Sequence, residues 1–166
     1  MDELIALLRN GVRRIRQHHA IEHATLHLLA ERYPQRTFAG YSDPVGFVIY
    51  GEGDSHALRR VVEDALLRLR AGEAQLAIHL NCGTVLASTA LLTTVAALLG
   101  GIGQRGVLAR FSSILMWVLG ALVLSKPLGL RLQQYTTLAQ VADRRVMEIR
   151  PLAAGKLPVH RVIFES

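Results

Sequence analysis

One stretch of the chain constrains its fold more than any other, because residues 83–104 contain no charged side chain. At 1.5 Å per residue a helix of this length can cross the roughly 30 Å hydrocarbon core of a bilayer. A second apolar stretch, residues 111–125, is shorter. It is bounded by Arg110 and Lys126, whose long side chains can extend it toward the headgroups. The sequence therefore predicts two membrane spans.

The connector between the two apolar stretches, residues 101–110, is short, so we expect the spans to pair as an antiparallel hairpin. A hairpin leaves both polar flanks on the same side of the membrane. Most Lys and Arg residues lie in those flanks, so the positive-inside rule places them in the cytoplasm, although Arg105 and Arg110 in the connector argue mildly the other way. We predict a multi-pass protein of the inner or plasma membrane with a cytoplasmic polar domain. Small residues that permit close approach of the spans are Gly100, Gly101, Gly120 and Ala121.

The distribution of charge favours a lipid bilayer over nucleic acid as the partner. The formal net charge is +6, yet residues 1–82 carry ten basic and ten acidic side chains, whereas residues 83–166 carry nine basic and three acidic ones. The excess flanks the apolar stretches, where basic residues hold helix ends at an anionic leaflet. The alternative is a soluble protein whose apolar helices form a core or a dimer interface.

The polar segments predict an α+β domain. Apolar spacing predicts one helix over residues 3–32 and a second that begins at the N-cap Asp54-Ser55 and ends at Gly72. Residues 37–52 predict two strands around the turn Ser42-Asp43-Pro44. Three further strands are predicted over residues 75–79, 145–150 and 159–164, the last two joined by the turn Ala154-Gly155-Lys156 and added to the first sheet.

The predicted fold class is therefore an α+β membrane protein with a small mixed sheet, in which a transmembrane hairpin precedes a C-terminal β-hairpin. The predicted domains are an N-terminal polar part (residues 1–82), the transmembrane hairpin (residues 83–127) and C-terminal strands that join the polar domain (residues 128–166).

The first predicted helix carries a metal-binding pattern, since His19, Glu22 and His23 spell H-x-x-E-H. Residues four apart lie on one face of a helix about 6 Å apart, so His19 and His23 can share one zinc ion. Glu22 precedes the second histidine and can act as a general base toward zinc-bound water. Four of the seven histidines fall within residues 18–27, which strengthens this interpretation.

A second cluster, His79-Leu80-Asn81-Cys82, lies before the first span and offers His79 or Cys82 as a third ligand. Cys82 has a simpler alternative role as a small residue at the start of the span. Asp43 also has a simpler alternative role, because Asp and Pro side chains favour a turn at Ser42-Asp43-Pro44. We interpret His56 and His160 as surface residues. Candidates for orienting the ligands from a second shell are His27, Asp43, Glu52 and Asn81.

The H-x-x-E-H spacing resembles that of the inverzincin metallopeptidases, which implies two zinc ligands (His19, His23) and a glutamate base (Glu22). Over most of its length the chain also resembles an uncharacterised bacterial family of small two-span membrane proteins. The shared blocks are HAxEHAT (residues 19–25), G-x-S-D-P-x-G-F (residues 40–47) and A-I-H-x-N-C-G-T (residues 77–84), with Leu80 where proline is expected. This resemblance implies a membrane location and a shared site, but no activity.

Two functions follow as hypotheses. The first is a membrane-anchored zinc hydrolase, a peptidase or esterase, that acts on a membrane peptide or a lipid-soluble ester. The second is a non-enzymatic accessory or structural subunit, in a homo-oligomer or a larger membrane complex. Its histidines then bind a structural metal, a pigment or haem, or stabilise the fold.

Overall fold

The computed structural model describes residues 1–152 and 158–165, and it divides the chain into two compact units. The first unit combines Met1–His79 with Thr136–Ser166, and the second consists of Leu80–Tyr135. The second unit is therefore inserted between two parts of the first. The predicted turn at residues 154–156 lies outside the described residues.

Two helices of the first unit form where the sequence predicts them. Helix α1 spans Asp2–Arg32 and helix α2 spans Ser55–Arg70. The carboxylate of Asp54 accepts hydrogen bonds from the amides of His56 and Ala57, which satisfies two of the donors that a helix start leaves unpaired. Gly72 follows the second helix with a φ of +97°, a conformation that glycine adopts without steric cost.

The sheet of the first unit contains four antiparallel strands in the order β1-β2-β4-β3. The predicted mixed sheet is therefore wrong, because every neighbouring pair of strands runs in opposite directions. The β2–β4 pairing joins the two chain segments on either side of the second unit, as the sequence predicts. The strands are β1 (Ala39–Ser42), β2 (Gly46–Tyr50), β3 (Val146–Leu152) and β4 (Val159–Phe164).

The strand predicted over residues 75–79 is also wrong, since Ala74–Ala77 form one turn of 3₁₀-helix. The carbonyl oxygens of Ala77 and Ile78 accept hydrogen bonds from histidine side chains of α1 instead of from a neighbouring strand. Side-chain donors thus take the place of a strand partner, which the local sequence does not reveal.

The core of the first unit lies between the sheet and the two helices. Only the second half of α1 enters it, and α2 contributes its apolar face. Because side chains alternate along a strand, every second residue of β4 faces the helices. Fully buried core residues include Ile21, Leu28, Phe47, Val62 and Val162.

The second unit is a helical hairpin of α3 (Gly83–Gly100) and α4 (Val107–Thr136). The end of α3 packs on the start of α4, where a Cβ on Gly100 would lie 3.0 Å from the Cα of Ile114. The start of α3 packs on the end of α4, where a Cβ on Gly129 would lie 2.9 Å from the Cα of Val85. These contacts confirm the predicted antiparallel pairing.

Helix α4 is much longer than the predicted second span, because it continues through Lys126 and Pro127 to Thr136. Both helices are long and apolar enough to cross a membrane. Only 22% of the apolar window of α3 and 6% of that of α4 are buried. The core helix of a soluble protein would be mostly buried, so the exposure of these apolar helices favours lipid contact.

Gly46 of β2 lies where no side chain fits, which gives a test of the sheet. A Cβ added there would overlap the carbonyl oxygen of Val162 and lie 3.3 Å from the Cα of Ile163. We expect Gly46→Ala to lower the free energy of unfolding by about 1–3 kcal/mol, as overpacking does. Thermal unfolding of the purified protein, followed by circular dichroism, measures this.

The matched control is Gly53→Ala, since no heavy atom lies within 4 Å of a Cβ added at Gly53. Neither glycine has a φ in the left-handed region. The control is expected to change stability by no more than about 0.5 kcal/mol. Equal melting temperatures for the two variants would contradict the β2–β4 register.

Candidate metal centre

Helix α1 arranges three histidines at intervals of four residues, and their side chains form one row. The ring centroids of His19 and His23 lie 4.3 Å apart, and metal-ligating atoms of the two residues lie within 4.8 Å of each other. The ring of His79 extends the row, at 5.6 Å from His23 and 4.9 Å from His27. A helix and the segment that follows the 3₁₀ turn thus bring four imidazoles together.

Hydrogen bonds to backbone carbonyls fix the tautomers of these histidines. The Nδ1–H of His23 donates to the carbonyl of Ala77 at 2.7 Å, and the Nδ1–H of His19 donates to the carbonyl of Thr136 at 3.1 Å. Because a carbonyl oxygen only accepts, each ring in its neutral form carries its proton on Nδ1 and its lone pair on Nε2. Histidine ligands of metals are held in this way, with one ring nitrogen donating to a carbonyl and the other bound to the ion.

His27 is held in the opposite tautomer, because its Nε2–H donates to the carbonyl of Ile78 at 2.7 Å. Its lone pair is therefore on Nδ1. Together, His23 and His27 fix two successive carbonyls of the segment that leads to His79. The predicted orienting residue His27 thus acts on the backbone next to a candidate ligand.

His79 is held in its neutral form. Its burial, together with the positive charge that His23 and His27 can carry, lowers the pKa of His79 to about 4. Most of the imidazole is therefore unprotonated at neutral pH. A neutral imidazole is the form that binds a metal ion.

Glu22 is buried at the contact between α1 and β1. The hydroxyl of Ser42 donates a hydrogen bond to the carboxylate oxygen Oε2. Gly40 leaves the space that the carboxylate occupies, because a Cβ on Gly40 would lie 2.8 Å from Cδ of Glu22. Two sequence blocks, HAxEHAT and G-x-S-D-P-x-G-F, therefore meet at this carboxylate.

Asp43 organises the turn between β1 and β2. Its carboxylate accepts hydrogen bonds from the amides of Val45 and Gly46 and pairs with Arg161 at 2.6 Å. Burial alone would raise the pKa of Asp43. The hydrogen bonds from Arg161 and from the two amides outweigh that effect and lower the pKa below its usual value. The backbone carbonyl of Asp43 accepts a hydrogen bond from the Nδ1–H of His18. The imidazole that Asp43 orients is therefore that of His18.

The other predicted site residues are Glu52, Asn81 and Cys82. Glu52 is exposed after β2, where its carbonyl accepts a hydrogen bond from Arg36. Asn81 and Cys82 belong to the second unit. Cys82 is buried at the N-cap of α3, where its sulfur accepts from the amide of Thr84 at 3.4 Å.

The prediction that His160 lies at the surface is wrong, whereas His56 is exposed as predicted. His160 is 5% exposed and lines a separate cavity of about 150 Å³ beside Leu29 and Ile49. The alternation of side chains along β4 is the sequence signal that indicates the burial of His160. His160 and the core residue Val162 are two apart and therefore share a face of the sheet.

Sequence reasoning also missed three residues around the row of histidines. Burial lowers the pKa of His18, whose ring stacks on Phe164 with centroids 4.7 Å apart. Gly40 and Ser42 were assigned only to a strand and a turn, although both contact Glu22. Their spacing from Glu22 in the chain gives no local signal of this contact.

Comparison with known proteins gives the chain relatives but no activity. Residues 14–149 match the model of DUF6391, described as a domain of unknown function. An uncharacterized protein of Picosynechococcus sp. is 46% identical over 96 residues, which cover 52% of this chain and 46% of that protein. The chain thus spans about half the length of this relative. No solved structure matches the chain. The two matches confirm the prediction of an uncharacterised bacterial family.

Proposed function

The chain belongs to the DUF6391 family, and we propose that it is a membrane-anchored, zinc-dependent hydrolase whose metal site is on α1. The observation that carries the proposal is the pair of tautomers at His19 and His23. Each ring donates from Nδ1 to a backbone carbonyl, so each directs its lone pair through Nε2. Two such rings one helical turn apart match the arrangement of zinc-binding histidines on helices.

His79 or Cys82 is the third ligand. His79 is supported by its position beside His23 and by its lowered pKa, which keeps the imidazole neutral. Cys82 is supported by the softness of its sulfur and by its place three residues later in the chain. Three protein ligands leave one position for water, as in catalytic zinc sites.

Glu22 is the proposed general base. It adjoins His23 in the helix, and Ser42 and Gly40 hold its carboxylate in one place. Zinc held by His19 and His23 would supply a Lewis acid and would lower the pKa of a bound water to about 7. Glu22 would serve as the base that accepts a proton from the water nucleophile and as the acid that donates a proton to the leaving group.

The hairpin of α3 and α4 anchors the enzyme in the inner or plasma membrane. Their exposed apolar surface supports this location, and the basic residues of the polar flanks favour a cytoplasmic first unit. A site attached to a membrane anchor in this way suits a membrane peptide or a lipid-soluble ester as the substrate.

The test combines metal content with a substitution of the base. We expect protein purified in detergent to hold one zinc ion per chain and to cleave members of a panel of chromogenic esters and quenched fluorescent peptides. Glu22→Gln keeps the shape and the hydrogen bond to Ser42 but removes the base. It should retain zinc while kcat falls about 10²–10⁴-fold. Absence of stoichiometric zinc from the wild-type protein would overturn the proposal.

The second candidate is a non-enzymatic subunit whose histidines are structural. It is favoured by the hydrogen bonds from His23 and His27, which fix the segment at Ala77 and Ile78. In that case we expect Glu22→Gln to change stability, and we expect neither the wild-type protein nor the variant to cleave the panel. Zinc bound by a protein that cleaves no member of the panel would select this candidate.

A further inference from the structure

The first half of α1 exposes an apolar face that no other part of the described chain covers. Leu4, Leu8 and Val12 are 60%, 61% and 55% exposed, although they lie on the same helix as the fully buried Ile21. The core of the first unit begins near Gln17, and the preceding residues extend beyond it. We call residues 3–16 the amphipathic segment.

The apolar side chains of the amphipathic segment occupy one side of the helix. At 100° per residue they fall within an arc of about 160°. The segment rises about 20 Å along its axis at 1.5 Å per residue. An arc of this width is typical of a helix that lies half-immersed in an interface. The residues of the arc are Leu4, Ile5, Leu7, Leu8, Val12 and Ile15.

The charge of the amphipathic segment indicates which kind of surface its apolar face contacts. The amphipathic segment carries four arginines and one glutamate. Arg9 and Arg14 border the apolar arc on opposite edges, where long side chains can reach headgroups. Arg13 pairs with Asp143 at 3.3 Å and Arg16 donates to the carbonyl of Thr137, which leaves Arg9 and Arg14 outside the ion pairs of residues 1–152 and 158–165.

We propose that the amphipathic segment lies in the plane of an anionic lipid bilayer, with its leucines in the acyl-chain boundary and Arg9 and Arg14 at the phosphates. The inference rests on the proposed membrane anchor and adds a second attachment to the same bilayer. An apolar face with basic edges matches the pattern of in-plane helices. Each arginine near an anionic surface raises partitioning about fivefold.

The test uses tryptophan fluorescence in the full-length chain, reconstituted into vesicles whose lipids carry bromine near the headgroup end of the acyl chain. Trp117 of α4 is the only tryptophan. In the double variant Leu8→Trp, Trp117→Phe, bromine should quench most of the emission in phosphatidylglycerol-containing vesicles. The matched control Leu67→Trp, Trp117→Phe places the probe at a similarly exposed leucine of α2, at 63%, and should not be quenched.

Quenching of Trp117 in the wild-type protein tests the membrane anchor independently of the amphipathic segment. If vesicles with bromine deeper in the acyl chain quench Trp117 and Leu8→Trp behaves like the control, the anchor holds and the in-plane segment is wrong. If Trp117 is not quenched at any depth, the anchor itself is wrong.

Adding Arg9→Gln and Arg14→Gln to the Leu8→Trp variant should reduce its quenching in anionic vesicles toward the level in neutral phosphatidylcholine. Concentration-dependent protection of Leu8→Trp from bromine would instead indicate a second copy of the chain on this face and overturn the proposal.

Discussion

Replacement of His19 and His23 together by alanine is expected to abolish stoichiometric zinc binding. In the proposed site each histidine supplies one metal–nitrogen bond, so loss of two of the three proposed ligands leaves a single weak donor. We expect the zinc content of the purified variant, measured by mass spectrometry, to fall from one per chain to background. Each single variant should lose at least about 100-fold in affinity, as measured by competition with a chromogenic chelator.

Loss of zinc has to be separated from loss of fold, because His23 is buried and bonded to Ala77. Thr25→Ala serves as the matched control, since Thr25 is fully buried on the same helix and its hydroxyl donates to the carbonyl of Ile21 in its own turn. It should keep full zinc content. His56→Ala removes an exposed histidine and should also keep it. Retention of zinc by the double variant would refute the proposed site.

The third ligand is decided by comparing His79→Ala with Cys82→Ser. The variant that lacks the true ligand should lose zinc, whereas the other should keep it. Removal of a sulfur ligand would also eliminate the thiolate-to-cobalt absorption that a Cys-containing site shows when cobalt replaces zinc.

A single arginine in the middle of α3 should prevent stable insertion of the protein. Leu91 lies at the centre of Gly83–Gly100 and is 67% exposed. An arginine at the centre of a transmembrane helix costs about 2.5–3.5 kcal/mol on insertion scales. We therefore expect Leu91→Arg to lower the amount of chain that stays in the membrane pellet after alkaline carbonate extraction.

Leu67→Arg is the matched control, because Leu67 of α2 is exposed to nearly the same extent, at 63%. An exposed leucine outside the membrane tolerates arginine, with a stability change of at most about 0.5 kcal/mol. If α3 were the exposed helix of a soluble protein, the two variants would behave alike. Equal release of wild-type and both variant proteins by carbonate would exclude the membrane anchor.

Much of the local structure was predictable because it depends on residues close together in the chain. Apolar periodicity placed α1 and α2 to within a few residues, and the Asp54 side chain explains the start of the latter. The absence of charge over residues 83–104 located α3, and alternation located the four strands. The predicted second span ends before Lys126, whereas α4 continues to Thr136, because a helix tolerates a lysine side chain.

The prediction of a strand over residues 75–79 failed for a non-local reason. Its apolar residues suit a strand, yet His23 and His27, about fifty residues earlier in the chain, take the backbone carbonyls that a neighbouring strand would use. The assignment of His160 to the surface failed similarly, since the alternation of β4 was read without knowing which face the helices cover.

By itself, the sequence determined the positions of the four helices and of the four strands of the sheet, that two helices are apolar enough for lipid, and that His19 and His23 share one face of a helix. Those properties follow from periodicity and composition within short windows. Only the tertiary structure decided the tautomers of the histidines, the burial of Glu22 against Gly40 and Ser42, and the antiparallel order of the sheet. These features depend on hydrogen bonds and packing between segments far apart in the chain, which no local pattern encodes.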